Sequence, residues 1–225
     1  MKKSLLLIGM LLGLLTVAGC ATGTNQTHNF ARWEKAIHAF ELQDVKHAPP
    51  ANAIVFAGSS TIARWKTLAK DFPGLPVMNR GFGGSQIVDA AHFADRMIFP
   101  YQPKMVLLRA GGNDLWAGKS PAEVAGDFKN FAETVHTRLP ETKIVYISWS
   151  PTLLRWKQHE QEKQLNTLVG SYIAGKSWLQ YIETYDLPMG TNGLPRAELF
   201  VADKLHFNAA GYKLLAQRVR PFLPK

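Results

Sequence analysis

The chain has 225 residues, 46% hydrophobic and 19% charged, enough apolar mass for a single domain with a sizeable core. Its formal net charge of +9 raises nucleic acid as a partner. Against that class stand the lack of any clustered Lys/Arg run, of zinc-finger spacing and of the aromatic signature of RNA-binding sheets.

The chain opens with Met1-Lys2-Lys3, a basic start, followed by an apolar run from Leu5 to Ala18. That run is shorter than the roughly 20 residues a membrane-spanning helix needs, so it reads as an export signal. Its end, Val17-Ala18-Gly19-Cys20, resembles the lipobox of bacterial lipoproteins. The resemblance implies removal of residues 1–19, acylation of Cys20 and a stable membrane anchor, since two or more acyl chains hold where one is marginal. Ala21 stands where Asp would signal inner-membrane retention, which implies the periplasmic face of the outer membrane if the source is Gram-negative. Cys20 is the only cysteine, so no disulfide can form within the mature chain. A basic, tethered domain suits anionic headgroups or cell-wall polymers. The expected layout is a signal peptide at 1–19, a polar tether at 20–28 and one catalytic-sized domain at 29–225, working as a monomer.

Phe30, Trp33, Ile37 and Phe40 recur at three-to-four spacing and predict an amphipathic helix that His47-Ala48-Pro49-Pro50 ends. Apolar runs predict five buried strands at Ala53–Ala57, Pro76–Asn79, Lys104–Ala110, Lys143–Ser148 and Gln180–Tyr185. Helical patterns lie between or after them at Gln86–Met97, Ser120–Leu139, Gln158–Ile173 and Asn208–Phe222. Strands alternating with helices predict an α/β fold with a parallel sheet covered on both faces. In such sheets function gathers in the loops beyond the carboxyl ends of the strands.

Those loops carry the chemistry-bearing residues. Gly58-Ser59-Ser60 follows the first strand, and Asp203-Lys204-Leu205-His206 precedes the last helix. A serine hydroxyl is a poor nucleophile at neutral pH and needs a His to take its proton and a carboxylate to orient that His. Ser60, His206 and Asp203 suit those roles. In isolation Ser60 would read as a helix cap, and Asp203 with His206 as a solvated surface pair.

Taken together the blocks resemble the SGNH hydrolases, the GDSL-type esterase and lipase family, from about Phe30 onward. Gly58-Ser59-Ser60 matches the first block, with Ser60 as nucleophile. Asn79-Arg80-Gly81-Phe82-Gly83-Gly84 matches the second, with the Gly84 N–H in the oxyanion hole. Gly111-Gly112-Asn113-Asp114 matches the third, with Asn113 as a further donor, and Asp203 to His206 matches the last. The resemblance implies a flavodoxin-like three-layer α/β/α sandwich with five parallel strands, and an oxyanion hole formed by Ser60, Gly84 and Asn113. It implies no cofactor and no metal. The other histidines show no metal-ligand spacing either. The family's usual Asp before the nucleophile is Ser59 here, a change in local hydrogen bonding outside the expected triad.

Gly170 to Ser177 spells a P-loop, but it ends a helical pattern and leads into a strand, the reverse of what phosphate binding requires. Trp116, Trp149 and Leu153 fall near the expected catalytic edge as possible groove residues, with core packing the alternative. The expected activity is that of a serine esterase working through an acyl-enzyme, on lysophospholipid or short-chain acyl esters. O-acetyl groups of cell-wall or extracellular polysaccharide stay open as substrate, as does a non-catalytic glycan-binding lipoprotein.

Overall fold

The computed structural model describes residues 28–224. The expected signal peptide and the acylation site Cys20 lie outside the described residues. His28, the last residue of the expected tether, is already docked on the body, its Nε2 donating to Asp89 at 2.7 Å.

Five strands form one parallel sheet: β1 (Ile54–Gly58), β2 (Val77–Gly81), β3 (Met105–Arg109), β4 (Lys143–Ile147) and β5 (Leu179–Ile182). The α-helices are α1 (Glu34–Lys46), α2 (Ser60–Ala63), α3 (Leu68–Asp71), α4 (Ile87–His92), α5 (Ala94–Met97), α6 (Gly112–Trp116), α7 (Pro121–Arg138), α8 (His159–Ile173) and α9 (Ala209–Val219). Alternation along the strands sends residues to two cores. Val55, Ala57, Val106, Leu108, Ile144 and Tyr146 pack with Ile37 of α1, Phe128 and Phe131 of α7, and Leu165 and Val169 of α8. Ile54, Phe56, Leu107, Val145 and Ile147 pack on the opposite face with Ile62 of α2, Leu68 of α3, and Leu215 and Val219 of α9. The result is the three-layer α/β/α sandwich expected from the sequence.

The strand order β2-β1-β3-β4-β5 means that the chain leaves β1 toward one edge and returns beside it as β3. The carboxyl ends of β1 and β3 therefore flank the point where the winding reverses, the usual crevice of such sheets. Gly58 pairs with Gly81 on one side and Arg109 on the other, aligning the three loops that follow.

Some boundaries differ from the sequence patterns. The helix expected at Gln86–Met97 breaks at Phe93, whose backbone leaves helical geometry while its buried ring packs edge-on against Phe82. The last strand stops at Ile182 rather than Tyr185, because the Thr184 N–H donates to the Ser148 hydroxyl at 2.7 Å and the Tyr185 N–H to Glu183 at 2.6 Å. The closing α-helix ends at Val219 and continues as a 3₁₀ turn at Arg220–Phe222, since Pro221 has no N–H with which to extend it. The pattern at Ser120 is met in full. Its hydroxyl accepts from the Glu123 N–H at 3.3 Å, and Glu123 accepts from the Ser120 N–H at 2.7 Å, a capping box.

Candidate active site

Gly58 ends β1 with φ of +134°, and a Cβ there would sit 2.1 Å from the Arg109 carbonyl oxygen of the neighbouring strand. Only glycine lets the chain turn so close to β3. The Ser59 N–H then donates to that carbonyl at 3.1 Å, and Ser60 opens the single turn of α2 beyond the sheet edge. Tyr212 of α9 steadies this turn from behind, its hydroxyl donating to the Thr61 carbonyl at 2.9 Å. The Ser59 hydroxyl is buried and has no hydrogen-bond partner among the described residues. Trp65 lies past the end of α2 and is buried, its indole N–H donating to Asp71 at 2.6 Å.

Ser60 and His206 are 146 residues apart in sequence, yet the Ser60 hydroxyl lies 2.9 Å from His206 Nε2. On the other side of the ring, Nδ1 lies 2.7 Å from Asp203 Oδ2. An ionised carboxylate only accepts, so Nδ1 carries the hydrogen and Nε2 of the neutral ring is left to accept from Ser60. The carboxylate is locked from below: Asp203 Oδ1 accepts the backbone N–H groups of Leu205 and His206, each at 2.9 Å. Partial burial pushes the Asp203 carboxyl upward, but the bond from His206 and the two backbone donors outweigh it and hold the group down at about 2. Lys204, with φ of +56°, makes the tight turn between Asp203 and His206. Its carbonyl accepts the Leu154 N–H at 3.0 Å, tying this loop to the one after β4.

The oxyanion donors expected from the sequence are the backbone N–H groups of Ser60 and Gly84 and the Asn113 amide. Gly84 has φ of +80° and lies on the exposed surface, with the Trp33 ring 3.1 Å from where a Cβ would be. The backbone N–H groups of Ser60 and Gly84 make no hydrogen bond among the described residues. Asn113, in the first turn of α6, uses one Nδ2 hydrogen on the Ser85 carbonyl at 2.9 Å, which leaves the second free. Asp114 beside it is buried, accepts the Ile87 N–H at 3.1 Å, and is pushed up to about 6 by burial. It joins the third block to α4 and does not reach the Ser60 hydroxyl.

The sequence profile of the GDSL-like lipase/acylhydrolase family matches residues 48–214, from the turn before β1 into α9. The chain belongs to that family. The acylhydrolase fold also recurs among solved structures. A Streptococcus pneumoniae protein named for platelet activating factor superposes with a TM-score of 0.76 at 18% identity, over 87% of this chain and 94% of its own. A GDSL-like lipase from Bacteroides thetaiotaomicron gives 0.70 at 17% identity, over 86% and 98%. A catalytic mutant of an acetylxylan esterase from Geobacillus stearothermophilus gives 0.61 at 14%, over 79% and 97%. A search of the curated proteins found no match.

The possible groove residues of this ester hydrolase separate. Trp116 is 60% exposed and Leu153 half-buried, but Trp149 is only 5% exposed and leaves the groove for the core. The reason is Gly112, whose missing side chain makes room for the Trp149 ring: a Cβ there would lie 2.1 Å from it. Two features escape a sequence reading. A groove of about 710 Å³ runs along the outer edge of β2, bounded by Trp33, Phe40, Ala63, Met78 and Gly83. Beneath the third block lies a buried polar cluster. Arg109 donates to the Ser148 carbonyl, to Thr184 at 3.0 Å and to Ser150 at 2.6 Å, while Gln158 bridges Glu162 at 2.8 Å and the Gly112 carbonyl at 3.4 Å. No motif marks these residues, because the contacts of Arg109 and the one between Gln158 and Gly112 join distant elements.

Proposed function

We propose that this acylhydrolase cleaves carboxylic esters through a covalent acyl-enzyme on Ser60. The Ser60 oxygen attacks the ester carbonyl carbon and its proton passes to His206 Nε2. Asp203 keeps the ring in the required tautomer and offsets the charge of the imidazolium that forms. The N–H groups of Ser60 and Gly84 and the free Nδ2 hydrogen of Asn113 receive the carbonyl oxygen as it becomes negative. Collapse expels the alcohol with the proton from His206. Water, deprotonated by the same nitrogen, then attacks the acyl-enzyme and releases the acid. The observation that carries this reading is the continuous hydrogen-bonded chain from Asp203 to His206 to Ser60 at 2.7 and 2.9 Å.

The substrates proposed are lysophospholipids or short-chain acyl esters. The groove along β2 supports them, since it reaches Gly83, where a Cβ would lie 3.8 Å from the Ser60 Cβ, and is lined largely by apolar side chains. A second reading, removal of O-acetyl groups from polysaccharide, is favoured by exposed Trp116, an aromatic face three residues from Asn113 on which a sugar ring can stack. The enzyme is further proposed to act from a membrane through acylated Cys20. Mass spectrometry of the mature N-terminus tests that, and an unmodified Cys20 would refute it.

Hydrolysis of p-nitrophenyl esters from acetyl to palmitoyl, with Ser60→Ala as control, tests the rest. We expect the substitution to abolish at least about 10⁴-fold of the rate. A rate that rises with chain length supports lipid esters, and one confined to acetyl supports polysaccharide. A folded wild-type protein that hydrolyses none of them and resists fluorophosphonate labelling would leave a glycan-binding lipoprotein as the reading.

A further inference from the structure

Asn113 can serve an oxyanion only in one of its two amide orientations. Rotated by half a turn, it would present a carbonyl oxygen to the developing negative charge. The orientation is decided by two neighbours of opposite kind. The Ser85 carbonyl can only accept and takes an Nδ2 hydrogen at 2.9 Å. The Arg155 guanidinium can only donate and gives an Nη1 hydrogen to Oδ1 at 2.9 Å. Both are satisfied together only with Nδ2 toward Ser85 and Oδ1 toward Arg155, which leaves Nδ2 a second hydrogen to donate.

Arg155 is itself held firmly. The same Nη1 reaches the Gly112 carbonyl at 3.2 Å, and the guanidinium lies over the Trp116 ring, 4.8 Å from its centroid. Its backbone N–H donates to Thr152 at 3.3 Å in the loop after β4. A planar fork stacked on an indole is the geometry that suits arginine and not lysine. A cation on Oδ1 also draws electron density from the amide nitrogen, so the Nδ2 hydrogen becomes a better donor when negative charge appears.

We infer that Arg155, braced by Trp116, is a positioning residue that fixes and polarises the Asn113 amide for the oxyanion. The inference rests on the acyl-enzyme reading above. It also assigns exposed Trp116 a task, as the platform that keeps the guanidinium over the third block.

The test is a double-mutant cycle on p-nitrophenyl acetate hydrolysis with Arg155→Met, Arg155→Lys, Asn113→Ala and the pair Arg155→Met/Asn113→Ala. Loss of one charge-assisted hydrogen bond predicts that Arg155→Met lowers kcat about 10- to 100-fold. KM should stay within about twofold, and Arg155→Lys should recover part of the rate. In the Asn113→Ala background the Arg155 effect should vanish, which a loop latch would not produce. Should Arg155→Met fail to fold, the same cycle with Arg155→Lys decides the matter by the same criterion. Losses that multiply in the pair, or an Arg155→Met kcat within twofold of wild type, would overturn the assignment while leaving the acyl-enzyme intact. An Asn113→Ala protein as active as wild type would overturn the oxyanion reading itself, and the role of Arg155 with it.

Discussion

Ser60, Gly84 and Asn113 stand just beyond the ends of β1, β2 and β3, on loops whose backbone is clamped by the sheet and by glycines that admit no side chain. Asp203 and His206 stand on an irregular loop between β5 and α9 that is held by its own local bonds and by one backbone bond to the loop after β4. The proposed nucleophile and its proposed oxyanion donors inherit precision from the packed core, where small shifts are costly. The proposed acid and base obtain theirs from the turn Asp203 to His206, with Asp203 39% and His206 12% exposed. Substitutions in the two regions should therefore fail differently, the exposed loop in rate and the packed side in rate and stability together.

Among the substitutions that separate these two regions, Asp203→Asn should have the largest effect. An amide in place of the carboxylate offers Nδ1 no ionised acceptor and admits the wrong ring tautomer, so kcat should fall by about 10³- to 10⁴-fold. Little packing surrounds the side chain, and Tm should move by no more than a degree or two. The wild-type carboxyl, held at about 2, stays ionised across the usual assay range. Its contribution to stability is present above its unfolded value near 3.8 and is lost only as pH falls through about 2. A large drop in Tm with little loss of kcat would make this loop structural and erase the contrast.

Asn113→Ala ranks next. Removing one oxyanion donor typically lowers kcat by about 10² to 10³, and steady-state kinetics should show it with KM nearly unchanged. Asn113 is half-buried, and its truncation also leaves the Ser85 carbonyl without its donor at 2.9 Å. A measurable fall in Tm, absent in Asp203→Asn, would sharpen the distinction between the two sides.

How far the sequence foretells each region follows from the same contrast. The strands were legible because apolar runs bounded by turns have few other readings, and their observed ends lie within three residues of the expected ones. The four blocks were legible because each places a reactive side chain or glycine directly after a strand or before a helix. Arg155 was not, because its meaning comes from meeting Asn113, 42 residues away in sequence, and a lone arginine in a loop has no pattern. Trp149 stayed open between groove and core for a related reason. Whether an indole after a strand lines a groove or fills the core depends on the glycine it meets, and Gly112 is brought to it only by the pairing of β3 with β4.

That contact yields a smaller effect. Gly112→Ala inserts a methyl group 2.1 Å from the Trp149 ring in a closed interior. Overpacking of this kind costs about 1–3 kcal/mol, and calorimetry should register it as a Tm lower by several degrees. Because Gly112 precedes Asn113, kcat should fall with Tm. A variant that loses stability and keeps its full rate would show that the third block tolerates movement, against the rigidity argued for it.

The last effect, which appears only as pH rises, lies deepest. Glu162 of α8 is buried, accepts from Gln158 through Oε1 at 2.8 Å, and leaves Oε2 without a partner among the described residues. Burial pushes its carboxyl up from 4.5 to about 7. The folded chain thus holds a proton that the unfolded chain releases near 4.5, and folding stability declines as pH rises between those two values. Glu162→Gln keeps the acceptor for Gln158 and removes the titration. Its Tm should match wild type near pH 4.5 and exceed it at pH 8, by an amount corresponding to about 1–3 kcal/mol. Because Gln158 links Glu162 to the Gly112 carbonyl, any accompanying change in kcat with pH would extend the packed side of the site down into α8. A Tm difference that stays constant with pH would mean that Glu162 remains ionised in the fold, balanced by the buried Arg109 that shares its cluster.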